Sequence, residues 1–119
     1  MGIMYQGSNS RMSQVTVHNG TVYLAGQVAN DASAGMADQT RQVLENIDRL
    51  LAGAGTSRQN LLSVQIWVSD MNEFGQMNEA WDAWVVPGRP PVRACVQAPL
   101  ANPQWKIEIM AIAALPESS

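Results

Sequence analysis

The stretch Ser13-Gln14-Val15-Thr16-Val17-His18-Asn19-Gly20-Thr21-Val22-Tyr23-Leu24-Ala25-Gly26-Gln27-Val28 alternates apolar and polar side chains on both sides of an Asn-Gly pair. A period of two places Val15 and Val17, then Val22, Leu24 and Val28, on one side of an extended chain. Asn19 and Gly20 are the residues that best tolerate the positive φ of a type I′ turn, so the segment is predicted to be a β-hairpin. Gly26 interrupts the second strand, where a glycine marks either a bulge or the close approach of another group to the backbone.

Before the hairpin, residues 1–10 carry Gly, Ser and Asn without a period and are expected to form a loosely ordered lead-in. After it, Met36, Val43, Leu44, Ile47, Leu50 and Leu51 recur at helical spacing between about Gly35 and Ala54, and Gly53 and Gly55 supply stop signals. Leu61 to Val68 alternates again, with Leu62, Val64, Ile66 and Val68 on one face and Ser63, Gln65 and Trp67 on the other. Asp70 and Glu73 have the spacing of a helix start, and Phe74, Met77, Trp81 and Trp84 follow as a core-facing stripe that ends at Pro87-Gly88. Val92 to Ala98 and Trp105 to Ala113 read as two closing strands. The order β-β-α-β-α-β-β predicts an α+β fold in which one sheet carries two helices on one face.

At 119 residues the chain suits a single domain spanning 1–119. No apolar run reaches membrane-spanning length, and the start lacks the basic-then-apolar order of a secretory signal, so a cytoplasmic location is expected. Seven basic and ten acidic side chains give a net charge of −3, with no basic run for phosphate contacts, which argues against a nucleic-acid partner. One cysteine, Cys95, and one histidine, His18, provide no clustered ligand set for a metal.

The two-residue period puts Arg93, Cys95 and Gln97 on one face of the first closing strand and Val92, Ala94 and Val96 on the other. In the last strand Ile107, Ile109, Ala111 and Ala113 oppose Lys106, Glu108 and Met110. If the two strands pair antiparallel, Arg93, Cys95 and Glu108 come together on the sheet face away from the helices, the floor of a pocket. The competing reading is a solvated Arg93–Glu108 ion pair worth less than about 1 kcal/mol. Cys95 has no neighbouring base or helix N-terminus in the pattern to activate it, so thiol catalysis is not expected. Leu61, Trp67, Cys95 and Met110 are all expected on the open face, which then calls for a subunit partner.

The segment Pro91-Val92-Arg93-Ala94-Cys95-Val96, followed by Lys106-Ile107-Glu108-Ile109-Met110-Ala111-Ile112-Ala113, resembles the closing signature of the Rid (reactive intermediate deaminase, or YjgF) family. Ala25-Gly26-Gln27-Val28, Gln39-Thr40-Arg41-Gln42-Val43-Leu44-Glu45-Asn46-Ile47 and Met77-Asn78-Glu79-Ala80-Trp81 fit the same family, in register from about Ser13 to Ala113.

The resemblance implies a chorismate-mutase-like fold, a homotrimer with pockets between subunits, and no cofactor. It also implies hydrolysis of reactive 2-imino or enamine carboxylic acids to 2-oxo acids and ammonia. By the same resemblance Arg93 grips the substrate carboxylate and Glu108 positions or activates water. Cys95, Asn78, Ala25, Gly26 and Met12 match pocket positions. Met12 and Ala25 stand where deaminating members commonly carry tyrosine and serine, so two pocket hydroxyls are missing. The connection from Val86 to Pro91 is also short for the family. Those departures imply a divergent branch with a larger or more apolar substrate, or a trimeric small-carboxylate-binding or regulatory protein with little turnover. A ribonuclease, the third reading, is disfavoured by the acidic charge.

Overall fold

In the computed structural model, which describes residues 2–117, the sheet begins earlier than the sequence pattern indicates. Strand β1 (Met4–Gln6) pairs antiparallel with β2 (Val15–His18) through Met4↔Val17, Tyr5↔Thr16 and Gln6↔Val15. This corrects the expected lead-in over 1–10. Backbone groups alone make the pairing, which covers the otherwise bare edge of β2 and needs no apolar alternation in β1.

The hairpin forms as predicted, with β3 (Thr21–Leu24) antiparallel to β2, but Val28, expected on the side of Val22 and Leu24, pairs with Glu108 and turns to the opposite face. Asn19 and Gly20 both have positive φ, at 51° and 79°. Strand β4 (Gln27–Val28) resumes β3 after a break at Ala25-Gly26. Both segments lie against one later strand, first through Tyr23↔Ile112 and then through Gln27↔Ile109. Between those pairs Leu24, Ala25 and Gly26 face only Met110 and Ala111, which makes the break a β-bulge.

Helix α1 (Met36–Gly53) buries Met36, Val43, Leu44, Ile47 and Leu51, the stripe that the periodicity identifies. Strand β5 (Leu61–Val68) sends Val64, Ile66 and Val68 into the same core. Its register slips between Leu61 and Ser63, so Leu61 is buried at 7% exposure while Leu62 is turned out at 47%. The slip reverses the expected directions of these two leucines. Asp70 accepts a hydrogen bond from Asn72 N and opens a short 3-10 turn, Met71–Glu73, that leads into helix α2 (Phe74–Trp84).

The edge strand β6 (Val92–Gln97) pairs parallel with β5, and β7 (Ile107–Ala114) pairs antiparallel with β5 on its other side. The sheet order is β1-β2-β3-β7-β5-β6, with β4 also on β7. The expected pairing of the two closing strands with each other is therefore wrong. A strand, helix, strand crossover through α2 returns the chain in the direction of β5, which makes β6 its parallel neighbour and leaves the far side of β5 to β7.

Both helices lie on one sheet face over Val15, Val17, Val22, Leu24, Val64, Ile66, Ile107 and Ile109. Buried Gln39 of α1 fixes the return to β7: its amide donates to the carbonyls of Ala32, Ala34 and Gln104, and its Oε1 accepts from Lys106 N. Among the described residues no helix is long and apolar enough to cross a membrane.

The face away from the helices is uncovered. One row crosses it strand by strand as Tyr5, Thr16, Tyr23, Ile112, Ser63 and Val92. Tyr23 is 45% exposed and Val92 71%. Trp67 and Met110 belong to this open face, as expected; Leu61 and Cys95 do not.

Candidate functional site

The parallel register of β6 decides where Arg93 points. Arg93 is paired with Val64 and Cys95 with Ile66, and neighbours in a ladder share a face. Val64 and Ile66 are buried beneath the helices, so Arg93, Cys95 and Gln97 project on the helix side and not on the open face. Arg93 stays accessible because β6 is the edge of the sheet.

Helix α2 builds a seat for this arginine. Phe74, Asn78 and Trp81 lie at i, i+4 and i+7, one face of the helix. Asn78 Oδ1 accepts a 2.8 Å hydrogen bond from Arg93 Nη1. The guanidinium carbon lies 5.3 Å from the Trp81 ring centroid and 5.8 Å from that of Phe74. Two cation–π contacts of about 0.5–1 kcal/mol each and one hydrogen bond of about 1 kcal/mol offset the roughly 2 kcal/mol of arginine rotamer entropy. The guanidinium is held before any ligand arrives, with the rest of its fork available. At the far end of β6, Gln97 Oε1 accepts from Met71 N at 2.7 Å and ties the strand to the start of α2.

Cys95 packs against the edge of the core beside Arg93. Burial pushes its thiol above the ordinary value, and the nearby positive charge of Arg93 works in the opposite direction. The thiol is thereby kept protonated, which agrees with a lining role.

Glu108 sits elsewhere. It is paired with Trp67 on one side and Val28 on the other, and projects from the open face. Its carboxylate lies against the backbone of Gly26: a Cβ at Gly26 would overlap Glu108 Oε2 and stand 3.0 Å from Cδ. Of the two roles open to Gly26 in the sequence, both apply, since it is the last residue of the bulge and also the point of close approach. Ala25 precedes it in the bulge, and Ala25 N donates to Gln14 O. Gln27 Nε2 reaches Gln14 Oε1, so the loop that carries exposed Met12 is fastened to the same segment.

The predicted residues thus form two groups. Arg93, Asn78 and Cys95 are together on the helix side; Glu108, Gly26 and Ala25 are together on the open side, with Met12 in the adjoining loop. The expectation that Arg93, Cys95 and Glu108 share one face within a chain is overturned. From strand spacings of about 4.8 Å and a rise of about 3.3 Å per residue, the backbones of Arg93 and Glu108 are roughly 14 Å apart, and their side chains diverge. The ion-pair reading fails with it: the ion pairs among the described residues are Arg41–Asp38, Arg58–Asp48 and Lys106–Glu73.

The companions of the two groups were legible only in part. Phe74 and Trp81 read as core from their period; their spacing places them on one helix face with Asn78 but carries no sign that this face meets an arginine. Trp67 and Val28 flank Glu108 only because of strand register, which the sequence does not carry. Two concavities of the chain, of about 280 Å³ around Arg89 and Leu62 and about 270 Å³ between the helices around Trp84 and Asp48, contain none of the predicted site residues. No group of three or more His, Cys, Asp or Glu among the described residues is placed to hold a metal.

A family model described as Endoribonuclease L-PSP matches residues 7–115. The RutC family protein YoaB of Escherichia coli K12 is 42% identical over 115 residues, 97% of this chain and 100% of its own length. The chain belongs to the Rid/YjgF family. A crystal structure of a YjgF family member from Neisseria meningitidis superposes with a TM-score of 0.95 at 41% identity, covering 99% of this chain and 98% of that one. A rat protein named 2-iminobutanoate/2-iminopropanoate deaminase is 32% identical over 107 residues, covering 85% of this chain and 77% of the rat protein. The α+β architecture is thus that of the Rid/YjgF family.

Proposed function

We propose that this Rid/YjgF protein is a cofactor-independent deaminase that hydrolyses reactive 2-imino or enamine carboxylic acids to 2-oxo acids and ammonia. The observation that carries the proposal is the division of the site. Arg93 is pre-positioned with the rest of its fork available, Glu108 has no cationic partner among the described residues, and the two face away from each other in one chain. A closed assembly, a homotrimer in this reading, brings the Arg93 group of one subunit to the Glu108 group of the next.

The chemistry asks little of the protein. An imine carbon is already electrophilic, so orientation, a water and one proton shuttle suffice. Arg93 binds the carboxylate through charged hydrogen bonds worth on the order of 1.5–3 kcal/mol. Water adds to the carbon of the N-protonated imine and gives a proton to Glu108, forming the C–O bond of a carbinolamine. That proton then goes to the amino nitrogen, and as the C–N bond breaks the hydroxyl proton returns to Glu108, releasing ammonia and leaving the 2-oxo acid. The similarity to the rat deaminase supports this reaction class, and the missing hydroxyls at Met12 and Ala25 favour a larger or more apolar side chain on the substrate.

Those same two residues favour a second reading, a trimeric small-carboxylate-binding protein with little turnover. An endoribonuclease, the activity in the description of the matching family model, is disfavoured by the −3 charge. It is also disfavoured by the position of the lone histidine, His18, beside the hairpin turn. Freshly generated 2-iminobutanoate separates the first two. Acceleration of ammonia release over spontaneous hydrolysis supports the deaminase, and binding of 2-oxobutanoate without acceleration supports the binding protein.

A further inference from the structure

We infer that Gly26 is a positioning residue for Glu108: its missing side chain is the space in which the carboxylate rests. Four observations converge on this. Gly26 is outside the left-handed region, where the positive-φ glycines are Gly7, Gly20, Gly55 and Gly88, so its backbone does not itself require glycine. A Cβ there would meet no backbone atom among its three nearest neighbours; all three belong to the Glu108 side chain, namely Oε2, Cδ at 3.0 Å and Cγ at 3.3 Å.

The third observation is the bulge, which turns the segment so that Gly26 lies beneath Glu108, displaced from the regular ladder that pairs Val28 with Glu108. The fourth is that Glu108 takes part in none of the ion pairs among the described residues, so shape, and not a charged partner, sets its direction. Val28 and Trp67 bound it laterally, and the bare backbone of Gly26 leaves one open direction along the strand.

The three atoms nearest to an alanine Cβ at this position all belong to the flexible Glu108 side chain, so the fold is expected to tolerate the substitution while the carboxylate swings away. Gly26 then acts through Glu108, whose side chain holds the three atoms nearest to a Cβ at this position. In its catalytic consequence this inference rests on the deaminase reading of the same site; in its geometric content it does not.

The test is a double-mutant cycle of Gly26→Ala and Glu108→Gln in the full chain, with crystal structures of wild type and Gly26→Ala. Expected are an unchanged melting temperature within a few degrees, a Glu108 side chain in a different rotamer in Gly26→Ala, and a kcat lowered by about 10–100-fold at similar KM, part of the usual range for a proton-transfer residue. In the Glu108→Gln background Gly26→Ala is expected to cost no further activity. A Glu108 carboxylate that stays in place in the Gly26→Ala crystal overturns the inference, as does a full additional loss in the double variant. If wild type hydrolyses no imine, the deaminase reading fails instead, and the rotamer in the two crystals still decides the role of Gly26.

Discussion

Arg93 and Glu108 project from opposite faces of one sheet, on strands separated by β5, with Arg93 under α2 and Glu108 over Gly26. A small carboxylic acid cannot span both within a chain. Any site that uses both is completed by a second copy, and this divides the two mutants in a testable way.

Mixing inactive Arg93→Ala and Glu108→Gln subunits is expected to restore activity. In a cyclic trimer that contains both kinds, one of the three interfaces joins an intact Arg93 to an intact Glu108. Random exchange at equal amounts therefore returns about one quarter of the wild-type sites. Ammonia release after proven subunit exchange is the measurement. No recovery would mean that the two groups never meet across an interface.

Three chains per particle are expected from light scattering at micromolar concentration. The open face carries Tyr23, Val92, Val96, Met110 and Trp67 across several strands, an apolar surface too continuous to leave to water. Introducing charge at its centre, as in Met110→Asp, is expected to shift the particle toward monomer. A monomeric wild type would remove the interfacial site altogether.

Arg93→Ala is expected to abolish 2-oxobutanoate binding in calorimetry, and Arg93→Lys to recover little, because an ammonium lacks the planar fork and stacks less well on Trp81 and Phe74. Asn78→Ala is a milder test of the same seat. Losing one hydrogen bond that orients the guanidinium is expected to weaken affinity by about 3–10-fold, from a net bond strength near 1 kcal/mol. Unchanged affinity in Arg93→Ala would assign the arginine to structure alone.

The parts of this arrangement that the sequence makes legible are those written in local period. The hairpin at Asn19-Gly20, the faces of α1 and α2 and the alternation of β5 each follow from neighbours a few residues apart. Arg93 and Glu108 could be singled out because each is a charge on an otherwise apolar strand. The direction of β6 was not legible. A two-residue period tells which residues share a face and leaves open which face it is, and β6 exposes both because it is an edge. The α2 crossover decides it, through topology and not composition. Strand β1 escaped for a related reason, since its pairing is made by backbone groups that every sequence supplies. At Leu61-Leu62 a register slip exchanged inside for outside, and two adjacent leucines give no hint of which is buried.

Cys95 provides a check on the Arg93 side that needs no substrate. Burial raises its pKa and the Arg93 charge opposes the rise. The thiolate is the reactive form, so at pH 7 alkylation by iodoacetamide is expected to be slower than for a free thiol, accelerating only at alkaline pH. Arg93→Ala removes the lowering influence and is expected to move the alkylation profile to still higher pH. A profile that moves to lower pH in that variant would show that the guanidinium does not act on the thiol.

The role of Glu108 separates enzyme from binding protein. Glu108→Gln replaces a carboxylate by a nearly isosteric amide that cannot take a proton from water. If Glu108 handles that proton, the fold and the affinity for 2-oxobutanoate are expected to persist while turnover falls by about 10²–10⁴-fold, the usual scale of general acid-base catalysis. Affinity is expected to hold because the proposal assigns carboxylate binding to Arg93, and removing a negative charge from the facing group does not weaken the binding of an anion. The opposite pattern is equally readable: if Glu108 serves only to balance Arg93 across an interface, binding changes and any turnover changes in the same proportion. Calorimetry and single-turnover ammonia release on one preparation give both quantities. Changes of the same proportion in the two would count against Glu108 as the proton carrier.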